Sequence, residues 1–137
     1  ARYTEMRRIL AESLADFARV LSEYVDVVVV RAKRHDMVCK FAEFSSCSVI
    51  NGLTDLAHPC QAMADYLTML EVKGRLEGLK VAYVGDGNNV CHELMLGAAK
   101  LSVAARVACP EGYGPDPRVV ESAVRCAREL GAPPRGS

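Results

Sequence analysis

The 137-residue sequence has no excess of charge of either sign: seventeen Lys and Arg balance seventeen Asp and Glu. Without a global field it has no general means of gathering nucleic acid or an anionic membrane, so neither is expected as a partner, and any anion site must be local. It also has no apolar run of membrane-spanning length, because the longest are broken by Lys100 and Arg106. The opening Ala1-Arg2-Tyr3-Thr4-Glu5-Met6 is polar and lacks the apolar core and small-residue cleavage site of a signal peptide. None of the six cysteines (39, 47, 60, 91, 109, 126) forms a Cys-x-x-Cys pair. They fall mostly in apolar segments, where a free thiol behaves as a small hydrophobe, and a reducing cytoplasm is the expected compartment. There is no internal repeat and no low-complexity segment beyond the tail Gly131–Ser137, which is expected to fray. What is present is a globular composition, half apolar and a quarter charged, enough for one compact domain or two small lobes.

Hydrophobic periodicity organises the chain. Met6, Ile9, Leu10, Leu14, Phe17, Ala18 and Leu21 recur at helical steps and predict a helix from about Thr4 to Tyr24. The run Val25-Asp26-Val27-Val28-Val29-Val30 predicts a strand buried on both faces and closed by Arg31. A short helix over Met37–Phe44 and a short strand at Ser48-Val49-Ile50 follow. Residues Asn51–His58 read as a loop, and Pro59 opens a helix to about Val72, since the first helical N–H needs no partner. After the boundary at Lys73-Gly74-Arg75 the pattern resumes: strand Leu79–Val84, tight loop Gly85–Asn88, helix Asn89–Leu101, strand Ala104–Ala108, loop Pro110–Pro117 and helix Arg118–Leu130. The alternation predicts an α/β fold, with parallel sheets and flanking helices in two partial lobes, 1–73 and 74–137. Each lobe offers two convincing strands, few for a parallel sheet.

In open parallel sheets, ligands bind beyond the carboxyl ends of the strands. Three polar groups lie there. Arg31 closes the valine run; its planar fork suits phosphate or a polarised carbonyl, although an arginine in that position commonly just meets solvent. His58-Pro59-Cys60-Gln61 sets an imidazole at the mouth of a helix and a carboxamide one turn inside it, where unpaired N–H groups favour anions and developing oxyanions. The simpler alternative is that His58 and Gln61 only cap the helix. Third, Asn88 and Asn89 head the next helix and offer side-chain and backbone groups to an α-carboxylate or α-amine.

The glycine loop does not make a dinucleotide site. After Gly85 and Gly87 the third glycine position is Val90, and Cys109-Pro110 stands where a ribose-binding acid would close the next strand. Metal binding is not expected either, because His58 with Cys60, and Cys91 with His92, are adjacent pairs rather than ligands spaced to converge. His35 is expected to begin the Met37–Phe44 helix without a catalytic role.

Together these segments resemble the ornithine carbamoyltransferase family. The resemblance rests on Asn51-Gly52-Leu53-Thr54-Asp55-Leu56-Ala57-His58-Pro59-Cys60-Gln61-Ala62, on Ala64-Asp65-Tyr66-Leu67-Thr68 and on Val84-Gly85-Asp86-Gly87-Asn88-Asn89-Val90. Ala11–Asp16 and Pro110-Glu111-Gly112-Tyr113 support it. His-Pro-x-Gln is shared by transcarbamoylases generally; the flanking Asn-Gly-Leu-Thr-Asp and Gly-Asp-Gly-Asn-Asn favour the ornithine branch.

The resemblance implies transfer of a carbamoyl group from carbamoyl phosphate to the δ-amine of ornithine, giving citrulline and phosphate, without a cofactor. It implies that Arg31 and His58 polarise the carbamoyl oxygen as catalytic groups, that Gln61 orients the carbamoyl NH₂, and that Asn89, with a lesser part for Asn88, holds ornithine. A homotrimer and a place in arginine biosynthesis or the urea cycle are the family's associations. The sequence contains no match to the family's Ser-Thr-Arg-Thr phosphate loop, nor to its Asp-x-x-x-Ser-Met-Gly and His-Cys-Leu-Pro segments. Glu93 stands where a serine is common. The expectation is therefore the second half of one domain joined to the first half of the next, with little or no turnover by the isolated chain. The alternatives are a related transcarbamoylase with another amino acceptor and a non-catalytic remnant or assembly module.

Overall fold

The computed structural model describes residues 13–130, which form two compact units dividing at Asp55/Leu56. The expected helix start over residues 4–12 and the tail 131–137 lie outside the described residues.

The first unit begins with helix α1, seen over residues 13–22, followed by strand β1 (Val27–Arg31), helix α2 (His35–Phe44) and strand β2 (Ser48–Leu53). Ala15 and Ala18 of α1 are buried, as are Val38 and Phe41 of α2. Phe17 meets Phe41 edge-on at 6.0 Å, and the Arg19 guanidinium lies 4.9 Å over the Phe44 ring. Strands β1 and β2 pair in parallel, Val27 opposite Ser48 through Val30 opposite Asn51, with a register shift that sets Arg31 opposite Leu53.

Two expectations change here. β2 runs on through Asn51-Gly52-Leu53, which the turn-forming Asn-Gly pair had placed in a loop; pairing with β1 overrides that local preference. Gly52 fits the sheet closely, since a Cβ there would lie 3.1 Å from Val29 Cγ1 and 3.3 Å from the Val30 carbonyl oxygen. Nor is β1 buried on both faces. Val28 and Val30 are half-buried, but Val27 and Val29 are 49% and 64% exposed. With one strand beside it, β1 shows the alternation of a sheet covered on one side only.

The second unit holds helix α3 (Pro59–Lys73), strand β3 (Lys80–Val84), helix α4 (Asn89–Lys100), strand β4 (Ala104–Ala108) and helix α5 (Pro117–Glu129). α3 starts on Pro59 and stops at Gly74, whose φ of 71° is the left-handed geometry glycine tolerates at a helix end. β3 and β4 pair in parallel, Lys80 opposite Ala104 through Val84 opposite Ala108. Tyr66, Ala98 and Val103 form the core, with Met69, Leu76, Leu79, Val81 and Leu94 packed around them. α4 packs against α3, α5 and β4. The fold class is α/β, with two parallel two-stranded sheets and flanking helices among the described residues. None of the six cysteines is in a disulfide; Cys91 is buried, while Cys39 and Cys60 are exposed rather than packed as small hydrophobes.

Candidate active site

Arg31 ends β1 in the first unit, exposed, and its side chain makes no hydrogen bond or ion pair among the described residues. The backbone around it is fixed. Ala32 N donates to the Leu53 carbonyl at 3.0 Å and Asp55 N to the Lys33 carbonyl at 2.9 Å. His35 begins α2, where its backbone N–H donates to Asp55 Oδ1 at 3.0 Å and its Nδ1 lies 3.0 Å from the Oγ1 of fully buried Thr54. His35 thus helps to shape the segment that leaves β2.

His58 and Gln61 share the first turn of α3 in the second unit. His58 is the N-cap residue, and its carbonyl accepts from Gln61 N at 3.2 Å and Ala62 N at 3.4 Å. Its imidazole does not cap the helix, and its Nδ1 is buried without a hydrogen-bond partner among the described residues. A buried ring nitrogen left unpaired carries a desolvation cost that folding alone does not justify. Gln61 is exposed and donates from Nε2 to Asp65 Oδ1 at 3.0 Å, one turn along. Neither side chain plays the capping role that was the simpler alternative.

Asn88 and Asn89 share the head of α4. The Asn88 carboxamide oxygen accepts from Val90 N at 3.0 Å and Cys91 N at 3.3 Å, so Asn88 is the N-cap. Its oxygen is held by the helix, which leaves its NH₂ group for other contacts. Asn89 is the first helical residue and half-buried, and Glu93 lies half-buried one turn later. The loop before them is rigid: Tyr83 Oη donates to the Asp86 carbonyl at 2.8 Å, and Gly87 N donates to the Tyr113 carbonyl at 2.8 Å. Gly87 admits no side chain, because a Cβ would overlap the backbone of Gly114 and Pro115. Burial raises the Cys91 thiol above its ordinary pKa, with Cys109 and Asp86 adding to the effect, so Cys91 is held as an inert thiol.

One residue was missed by sequence reasoning. His92 is buried on α4, with Nδ1 3.0 Å from the Leu56 carbonyl oxygen and Nε2 accepting from Asp116 N at 3.0 Å. Its partners are backbone groups far along the chain, which no local motif reveals.

Against this geometry, the sequence profile described as the aspartate/ornithine carbamoyltransferase carbamoyl-P binding domain matches residues 3–71. That described as the family's Asp/Orn binding domain matches residues 77–135. The chain belongs to the aspartate/ornithine carbamoyltransferase family. It is 55% identical to the ornithine carbamoyltransferase of Anoxybacillus flavithermus over 121 residues, covering 88% of this chain and 38% of that protein. It is 54% identical to that of Thermococcus kodakarensis over 127 residues, covering 93% of this chain and 40% of that protein. Among solved structures, the Pyrococcus furiosus ornithine carbamoyltransferase superposes with a TM-score of 0.83 at 52% identity, over 86% of this chain and 38% of that one. The Giardia lamblia ornithine transcarbamoylase does so with 0.82 at only 31% identity, over 88% and 43%.

This carbamoyltransferase-family chain therefore spans about two-fifths of the length of the curated relatives it matches. Arg31, His58 and Gln61 fall in the carbamoyl-P match, and Asn88 and Asn89 in the Asp/Orn match. The two matches part between residues 71 and 77, whereas packing keeps α3 with the second unit through its contact with α4.

Proposed function

We propose that the chain is the central part of an ornithine carbamoyltransferase, bearing part of a carbamoyl-phosphate site and part of an ornithine site. The observation that carries the reading is His58: an imidazole at a helix N-terminus that neither caps the helix nor satisfies its buried nitrogen. In this reading Arg31 and His58 donate to the carbamoyl oxygen. Arg31 pairs in register with Leu53, and Thr54–Ala57 lead from there to His58, so the three belong to successive strand ends. Gln61 orients the carbamoyl NH₂, and Asn89, assisted by the Asn88 NH₂, holds the amino-acid end of ornithine.

The chemistry needs no cofactor. The δ-amine of ornithine attacks the carbonyl carbon, the bond from that carbon to the bridging oxygen breaks, and phosphate leaves with that oxygen as the nitrogen gives up a proton. Charge grows on the carbamoyl oxygen as the amine adds, and preorganised donors aimed at such an oxygen are worth about 3–4 kcal/mol each. Holding the amine near the carbon is the task of the α4 head.

We take the boundary between the two partial domains to be Lys73/Gly74, a reading supported by the end of α3 in a left-handed glycine there. A homotrimer, a cytoplasmic location and a role in arginine biosynthesis or the urea cycle complete the proposal; among the described residues no helix is long and apolar enough to cross a membrane. One observation favours a second reading, a non-catalytic assembly module: the exposed valines of β1. Calorimetric titration with carbamoyl phosphate separates the two. Binding that weakens in His58→Ala supports the half-site, whereas no heat at millimolar ligand overturns it and leaves the module. Ornithine added to the carbamoyl-phosphate complex tests the acceptor, and a different amino acid binding in its place would point to a sibling enzyme.

A further inference from the structure

We infer that His92 is a positioning residue that sets the place of the His58 imidazole relative to the Asn88–Asn89 helix head. A carbonyl oxygen only accepts, so Nδ1 carries the proton in the bond to Leu56. A backbone N–H only donates, so Nε2 keeps its lone pair facing Asp116. The two bonds together select the neutral Nδ1–H tautomer, and the ring is only 7% exposed.

Three segments meet on this one ring. His92 itself is anchored to the helix head, its backbone N–H donating to the Asn88 carbonyl at 3.0 Å. Asp116 is the N-cap of α5, accepting from Arg118 N at 2.9 Å. Leu56 is separated from His58 only by Ala57. The His58 ring has no hydrogen bond of its own among the described residues, so its position is inherited from its backbone, and His92 grips that backbone. A shift of the grip moves the ring, and catalytic donors tolerate little displacement. The catalytic consequence rests on the reading of His58 as a carbamoyl ligand; the mechanical relation does not.

Long-range nitrogen–proton NMR of the 137-residue chain, labelled at histidine, tests the tautomer near neutral pH. The expected result is a protonated Nδ1 and a bare Nε2 at His92; a proton on Nε2 overturns the inference even if no variant folds. Two substitutions then separate positioning from bulk stability. His92→Asn keeps a donor near the Nδ1 position for Leu56 and gives up Asp116. His92→Gln keeps an acceptor near the Nε2 position for Asp116 and gives up Leu56. The His58 ring signals are expected to stay in place in His92→Asn and to move in His92→Gln, although both variants melt earlier than the parent. Signals that move equally in both, or in neither, overturn the inference and leave His92 a structural histidine. Carbamoyl phosphate takes no part in these measurements, so a chain that passes them yet binds no ligand refutes only the carbamoyl reading.

Discussion

The phenolic hydroxyl of Tyr66 on α3 donates to the Leu94 carbonyl on α4 at 2.6 Å, across a joint so close that Gly97 lies under the ring. Tyr66 is almost fully buried, and this bond joins the helix that begins at His58 to the helix headed by Asn88 and Asn89. Tyr66→Phe is expected to keep the packing and lose the bond, about 0.5–1.5 kcal/mol in urea unfolding. Gly97→Ala is expected to cost more, about 1–3 kcal/mol, because its methyl group enters the space of the Tyr66 ring. If Gly97→Ala unfolds no earlier than the parent, the close α3–α4 contact is wrong.

Burial, with Asp65 nearby, pushes the Tyr66 hydroxyl from the ordinary 10.0 up to about 12. The raised value means that the fold prefers the neutral phenol. The stabilisation it contributes is complete below about pH 10 and is lost as pH rises from 10 through 12, where the unfolded chain has already released its proton. Absorbance of tyrosinate should show one of the five tyrosines ionising last, near pH 12 or with alkaline unfolding. In Tyr66→Phe that late step should vanish while the others remain.

Asp116 lies at the opposite end of the pH scale. Hydrogen bonds from the Arg118 side chain and backbone N–H, followed by the charge of that guanidinium, hold its carboxyl at about 2 rather than 3.8. Its folded-state value is depressed, so its contribution is present above about pH 4 and fades as pH falls through 2. Asp116→Asn retains an oxygen for the Arg118 N–H but loses the charge. The unfolding midpoints of parent and variant should therefore differ at pH 6 and converge toward pH 2. A constant gap would show that the ion pair contributes nothing.

Several of these relationships were legible in the sequence and others were not, for physical reasons. β4 at Ala104–Ala108 and the start of α3 at Pro59 were read to the residue, because hydrophobic pattern and proline geometry are local. The parallel pairing followed from strand–helix alternation. The extension of β2 through Asn51–Leu53 was hidden, since Asn-Gly is a turn signal until a neighbouring strand supplies hydrogen bonds. The same is true of β1, where four valines look buried on every side but only Val28 and Val30 gain cover. At the site, His58, Gln61, Asn88 and Asn89 stood out because each lies at a helix start. Two things were not legible: that Asn88 commits its oxygen to capping, and that His92 bridges Leu56 and Asp116, since both depend on where distant backbone groups arrive.

The Gly85–Asn88 loop offers a sharper test of the proposed ornithine half. Gly87 faces the backbone of Gly114 and Pro115, and backbone cannot turn aside as a side chain can. Gly87→Ala must push the two segments apart, breaking the bond from Gly87 N to the Tyr113 carbonyl and costing on the order of 2 kcal/mol or more. The loop leads straight into Asn88 and Asn89, so the change should also disturb the head of α4. Amide signals of residues 88–91 should shift more than those of α3, and any ornithine binding should weaken more than carbamoyl phosphate binding. An unchanged loop would mean that the Tyr113 segment yields easily and does not support the helix head.

The proposed reaction needs an oxyanion site, an amine site and a grip on the leaving phosphate. The sequence supplies candidates for the first two in Arg31, His58 and Asn89, but it contains no Ser-Thr-Arg-Thr segment for the third. It also covers only 38–40% of the relatives that it matches. An enzyme loses most of its rate when the charge on a leaving group is unsupported, whatever remains of the carbonyl site. The 137-residue chain is therefore expected to form citrulline from carbamoyl phosphate and ornithine at a rate near the uncatalysed background, and His58→Ala should make little further difference. Citrulline production at the rate of a full-length relative would show that this chain holds its own phosphate grip, in a place that the residues identified above do not account for.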